Sequence, residues 1–150
     1  MIGSRPSRVV TGSGPDAASA GTAGTAGLIA AAARRVIPPG ACVTTDKVSF
    51  TLLANRFVSG VPGCPAIDDP TGVDLGVTRG PTPRTGAGQV PALVALWRTS
   101  FAHSQYVFLS NQSARRIPWT PGLLAFFHAP FAPALTWGAK GGVLYKRAGQ

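Results

Sequence analysis

Apolar positions along the chain follow a helical period in some stretches and run unbroken in others. From about Ala23 to Val36, Leu28, Ile29, Ala32 and Val36 fall at i, i+1, i+4 and i+8, one face of an Ala-rich helix. Arg34 and Arg35 stand in its last turn, where cations complement the helix dipole, and Pro38-Pro39-Gly40 stops it. Ala41-Cys42-Val43-Thr44-Thr45 is a short apolar and β-branched run, read as a buried strand. Asp46 then suits the N-cap of a helix over Lys47 to Asn55, with Val48, Phe50, Leu52 and Leu53 on its apolar side.

Glycines and prolines turn Phe57 to Pro70 into a loop region, with a short strand expected at Ala66-Ile67 and another short element over Val73 to Thr78. Gly80 to Gly88 is a further loop. The clearest helix spans Gln89 to His103, where Val90, Leu93, Val94, Trp97 and Phe101 fall at i, i+3, i+4, i+7 and i+11. Tyr106 to Ser110 is a continuous apolar run, the pattern of a buried parallel strand. Thr120 and Pro121 open a helix that runs to about His128. Ala134 to Trp137 and Val143 to Lys146 flank a Gly-rich turn, a hairpin signal.

Helices alternating with strands predict an α/β fold: a small Rossmann-like three-layer unit with a mainly parallel sheet and a C-terminal antiparallel hairpin. Residues 1–22 are rich in Gly, Ser, Ala and Thr and carry too little apolar surface to offset ordering entropy. They are expected to be a disordered leader to one α/β domain over 23–150. Their GTAGTAG tract is compositional, because no strand precedes it and no Lys-Ser/Thr follows as a phosphate loop needs.

Composition narrows the chemistry. The 150 residues hold no Glu, which excludes HExxH-type metalloprotease chemistry, and Gly and Pro recur too often for a coiled coil or collagen. The net charge of +9 raises nucleic acid or anionic lipid as partners. Residues 81–150 hold seven bases and no acid, yet these are scattered, with no run and no helical stripe. Scatter argues against nucleic acid and is compatible with an anionic membrane surface. A small basic nucleic-acid-binding module is the alternative reading. A stand-alone doubly wound enzyme ranks below both, for want of a phosphate loop and a Glu.

Several side chains are candidates for chemistry. Asp46, at a strand's carboxyl end, suits a ligand or metal carboxylate as well as an N-cap, the preferred role. Asp68-Asp69 suits a cation or sugar-hydroxyl site or a turn. His103 and His128 are the only general bases of the usual kind, without a GxSxG nucleophile elbow. Arg115, Arg116 and Trp119 could clamp a phosphate or stack on a sugar, or form a solvated pair beside a core lid. Cys42 and Cys64, 22 apart with no neighbouring His, do not make a zinc site; they are a disulfide in an oxidising compartment or two buried thiols. No metal and no cofactor is expected.

Several separated motifs carry a resemblance. IPPGACVTTDKVSFTLLANRFVSGVPGCPAIDD, WRTSFAHSQYVFLS, RRIPWTPGLLAFF and VLYKR, in this order between Ile37 and Arg147, resemble the soluble C-terminal domain of actinobacterial polytopic membrane glycosyltransferase-like proteins. Those are similar to the mannosyltransferases that use polyprenyl-phosphate sugars. The resemblance implies a non-catalytic extracytoplasmic domain or detached fragment, beside a membrane-embedded glycosyltransferase region and in contact with acceptor glycan or cell-wall polymer. The family's catalytic acid and lipid-phosphate site belong to parts with no counterpart here, so no catalytic residue carries over. The location implied is the extracytoplasmic face of the cell membrane if the chain is attached or exported, where Cys42 and Cys64 could pair, and otherwise the cytoplasm. The residues to examine for a ligand are Asp46, Asp69, Arg115, Arg116 and Trp119.

Overall fold

The computed structural model describes residues 17–65, 69–73 and 90–149. Its elements are α1 (Ala17–Val36), β1 (Val43–Thr45), α2 (Val48–Leu53), α3 (Pro70–Val73), α4 (Val90–His103), β2 (Tyr106–Leu109), α5 (Ser113–Arg116), α6 (Pro121–His128), β3 (Phe131–Thr136), α7 (Gly138–Gly141) and β4 (Val143–Arg147). The strand expected at Ala66-Ile67, the 80–88 loop and residues 1–16 of the leader lie outside the described residues.

The fold is α/β, built on one open, mixed, four-stranded sheet in the order β1-β2-β4-β3. Only β1 and β2 run parallel, with Val43 opposite Tyr106; β4 pairs antiparallel with both β2 and β3. The expectation of a mainly parallel sheet is therefore corrected. The reason is that β4 returns inside the sheet, between β2 and β3. The C-terminal hairpin β3–β4 forms as expected, but β3 starts at Phe131 and the connection contains the single turn α7. Pro133 lies within β3, where the register against β4 shifts between Pro133 and Leu135.

Side chains alternate across the sheet and divide the core in two. One cluster gathers Ile29, Ala33 and Ile37 from the first helical segment with Val43, Phe50, Tyr106, Phe108 and Leu144. The opposite cluster gathers Leu93, Trp97 and Phe101 of α4, Leu123 and Phe127 of α6, and Val107, Leu109 and Phe131. Helices thus cover both faces, giving three layers. Trp97 and Phe101, placed in the core by their helical spacing, are fully buried.

The first two helices depart from the sequence reading. Helix α1 starts at Ala17, six residues ahead of the helix start read from the sequence, in a stretch whose Ala content favours helix. Its buried row is Ile29, Ala33 and Ile37, spaced by four, which leaves Leu28 74% exposed. Helix α2 buries Phe50 and Thr51 and leaves Leu52 and Leu53 exposed, because its single contact row faces the Phe108 ring.

Arginines close the helix ends. The Arg34 guanidinium donates to the carbonyls of Ala54 and Leu53 at the end of α2. In return, Arg56 donates to Ile37 and Arg34 carbonyls at the end of α1. Arg147 donates to the Ser104, Phe101 and Ala102 carbonyls at the end of α4 and lies 4.8 Å over the Phe131 ring. Each caps acceptors that a helix cannot satisfy itself.

Candidate functional site

A cleft of about 120 Å³ opens at the carboxyl ends of β1 and β2. That is where open α/β sheets place ligands. Phe50 and Phe108 stack in its floor with ring centroids 3.9 Å apart, and Ile29 and Leu53 add apolar walls. Lys47, Ser49, Ser110 and Asn111 supply the polar rim. The local sequence explains the arrangement: β1 ends at Thr45 and β2 at Leu109, so the residues just beyond each strand arrive side by side. Thr45 Oγ1 accepts the Lys47 N–H at 2.9 Å and so shapes the turn into α2.

Asp46 sits directly behind this rim and is fully buried. It does not cap α2, whose N-cap is Lys47. Instead the Ser110 N–H donates to Oδ1 at 2.7 Å and the Ser110 hydroxyl to Oδ2 at 2.5 Å. The N-cap expectation is corrected because the competing donors of Ser110, just past β2, satisfy both carboxylate oxygens at once. Asp46 positions Ser110, and among the described residues no carboxylate lines the cleft.

Asp69 plays a different role: its Oδ1 accepts the N–H groups of Thr71 and Gly72, and its Oδ2 pairs with Arg116 at 2.5 Å. Thr71 Oγ1 donates to the Arg116 carbonyl and accepts from Trp97 Nε1 at 3.0 Å. Together these bonds tie the 69–73 turn to α4 and α5, so Asp69 is a turn former and ion-pair partner.

The three remaining candidates separate. Trp119 packs on Phe101 and Phe127 as a lid on the second core cluster, and the expected clamp with the two arginines is not formed by stacking. Arg116 is held by Asp69, while its Nε is buried with no partner. Such an orphan donor costs about 1–3 kcal/mol. Arg115 is exposed and lines, with Asn111, Gln112 and Arg116, a polar cavity of about 480 Å³. His103 Nδ1 lies 2.9 Å from the Thr99 carbonyl, and its ring sits beneath Gly63, where any Cβ would collide with it. His128 packs edge-on against Phe127. Neither histidine lines the cleft.

Cys42 and Cys64 form a disulfide with Cα atoms 5.6 Å apart, fastening the 57–65 loop to the start of β1. That loop also bridges Gly40 to Ser59. Among the described residues no cluster of His, Cys, Asp or Glu suits a metal ion, and no helix is long and apolar enough to cross a membrane. Burial pushes the Tyr145 phenol up and the Arg147 guanidinium down from their ordinary values.

Lys47, Ser49, Ser110 and Asn111 were not singled out from the sequence. The available signal was their position at or shortly beyond the carboxyl ends of two predicted strands. Comparison of the chain with protein-family models, curated proteins and solved structures returns no match at significance.

Proposed function

We propose that this chain is a saccharide-contacting, non-catalytic domain that works outside the cytoplasm beside a membrane-embedded glycosyltransferase-like region. The observation that carries the proposal is the cleft at the carboxyl ends of the parallel β1–β2 pair, with an apolar floor and a rim of hydroxyl, amide and ammonium groups. Such a lining suits a sugar ring, whose C–H face prefers apolar walls and whose hydroxyls need donors and acceptors. We take the β1–β2 pair with its helical connection as a reduced Rossmann-like unit, which is the setting in which this cleft position has meaning. The Cys42–Cys64 bond supports an oxidising compartment. The motif resemblance supports the membrane glycosyltransferase-like neighbour, and an anionic membrane surface suits the net charge.

The non-catalytic part of the reading comes from the motif resemblance, which carries over no catalytic residue. A general base is needed for glycosyl transfer to a hydroxyl, and among the described residues the cleft lining offers Lys47 for that role. The nucleic-acid alternative draws less support, since Arg34, Arg56 and Arg147 are engaged with helix carbonyls and Arg116 with Asp69.

Titration of the ¹⁵N-labelled chain with α-1,6-mannobiose tests the proposal. Saturable amide shifts at Lys47, Ser49 and Leu53 are expected. Absence of shifts there overturns the saccharide role, and turnover of a polyprenyl-phosphate sugar by the purified chain overturns the non-catalytic role.

A further inference from the structure

We propose that Arg115 and Arg116, with Asn111 and Gln112, form an oxyanion subsite that takes a phosphate or carboxylate group on a saccharide. The inference rests on the saccharide reading of the neighbouring cleft. Asn111 belongs to both cavities, so the sugar cleft and the arginine-lined cavity share a wall. A ligand lying across Asn111 meets an apolar, hydroxyl-rich part first and a guanidinium-rich part next.

The donor set fits an oxyanion. Among the described residues four line the cavity, and none is a carboxylate. Guanidinium groups present planar forks that match carboxylate and phosphate oxygens, and side-chain amides add neutral donors. Arg115 is exposed, with its fork available. Arg116 has one terminal nitrogen committed to Asp69, which fixes the group in place, and a buried Nε with no acceptor. The turn that carries Asn111 and Gln112 is held from behind, because Ser110 Oγ accepts the Gln112 N–H at 3.1 Å while donating to Asp46. Thus the cavity has a fixed frame and one exposed guanidinium.

Charge points the same way. Among the described residues the two carboxylates, Asp46 and Asp69, are both buried, Asp46 on Ser110 and Asp69 on Arg116. Lys47, on the far rim of the sugar cleft, adds a second exposed cation along the same track. A neutral glycan leaves this cationic end without use, whereas a phosphorylated or uronate-bearing glycan occupies both ends.

The test uses the full chain, ¹⁵N-labelled, at constant ionic strength, with four probes: inorganic phosphate, mannose 6-phosphate, glucuronate and α-1,6-mannobiose. Saturable shifts at Gln112 and Arg115 are expected with the three anions and not with mannobiose. Arg115→Ala is expected to weaken mannose 6-phosphate binding about tenfold, while Arg35→Ala, which removes an exposed cation from α1, leaves it within about twofold. Tighter binding of mannose 6-phosphate assigns a phosphate ester; tighter binding of glucuronate assigns a uronate. Equal weakening by both variants, or shifts spread over all exposed cations, overturns the subsite. Shifts at Gln112 and Arg115 without any at Ser49 or Leu53 keep the subsite and remove the sugar cleft; the converse with mannobiose keeps the cleft and removes the subsite.

Discussion

Asp46 and Ser110 meet across the carboxyl ends of two parallel strands, 64 residues apart in sequence, joined by two hydrogen bonds of 2.7 and 2.5 Å. The pair fixes the strand-end geometry on which the cleft depends. Replacing Asp46 by Ala leaves a buried N–H and a buried hydroxyl without their acceptor. A loss of roughly 2–4 kcal/mol in urea unfolding is expected. Ser110→Ala keeps the N–H bond and is expected to cost about 1–2 kcal/mol. A double-mutant cycle should show coupling between the two; strict additivity would mean that the bonds contribute nothing jointly.

The Cys42–Cys64 bond closes a 22-residue separation. Chain-entropy reasoning gives it about 3 kcal/mol. Urea unfolding with and without reductant should differ by that order, and intact mass should report the two lost hydrogens. The reduced chain should lose order first at Gly40 and Ser59, whose bridge the bond supports. Hydrogen exchange at the Gly60 amide, which donates to the Gly40 carbonyl, is the local readout.

How far the residue pattern reveals this fold depends on the range of the interaction. Helix α4 was legible because Leu93, Trp97 and Phe101 repeat on one face, and a repeat is a local signal. The Thr120 cap was legible for the same reason: its Oγ1 accepts the Leu123 N–H three residues on. Asp46 resembles a cap because it is a carboxylate before a helix, while its actual donors are on Ser110, just past β2. The place of β4 between β2 and β3 was equally hidden, since strand order is decided by long-range pairing. Trp119 stands beside two arginines in sequence, but its large apolar ring gains more by covering Phe101 and Phe127 than by facing a ligand. The cleft escaped notice because its residues share no motif and meet only when β1 and β2 pair.

Two glycines with positive φ offer a controlled comparison. Gly142 has φ of 98°, and a Cβ there would run into the Leu109 carbonyl and the Ser110 Cα. Gly149 has φ of 81° with open space around it. Gly149→Ala should cost about 1 kcal/mol, the strain of a left-handed L-residue alone. Gly142→Ala should cost clearly more, at least about 2 kcal/mol, since backbone must also move. Thermal unfolding of the two variants side by side checks the order.

Tyr145 supplies a pH prediction. Its phenol is raised from the ordinary value of 10.0 because burial penalises the phenolate. Above pH 10 the unfolded chain gives up this proton while the folded chain retains it. The folded state then binds more protons, so stability falls as pH rises through that range and is unaffected by this group below it. Ultraviolet titration in a Tyr106→Phe background isolates the group. Tyr145→Phe should flatten the alkaline decline.

The outer strand of the hairpin limits how this molecule can assemble. β3 forms one border of the sheet, and Pro133 removes an amide donor from it just where the register against β4 slips. The opposite border, β1, is only three residues long. Among the described strands, a border interrupted by proline and a border of three residues are both poor ladders for another chain to extend. Among the described strands, both borders therefore make poor templates for edge-to-edge addition, which favours contacts through the helical faces and the loops.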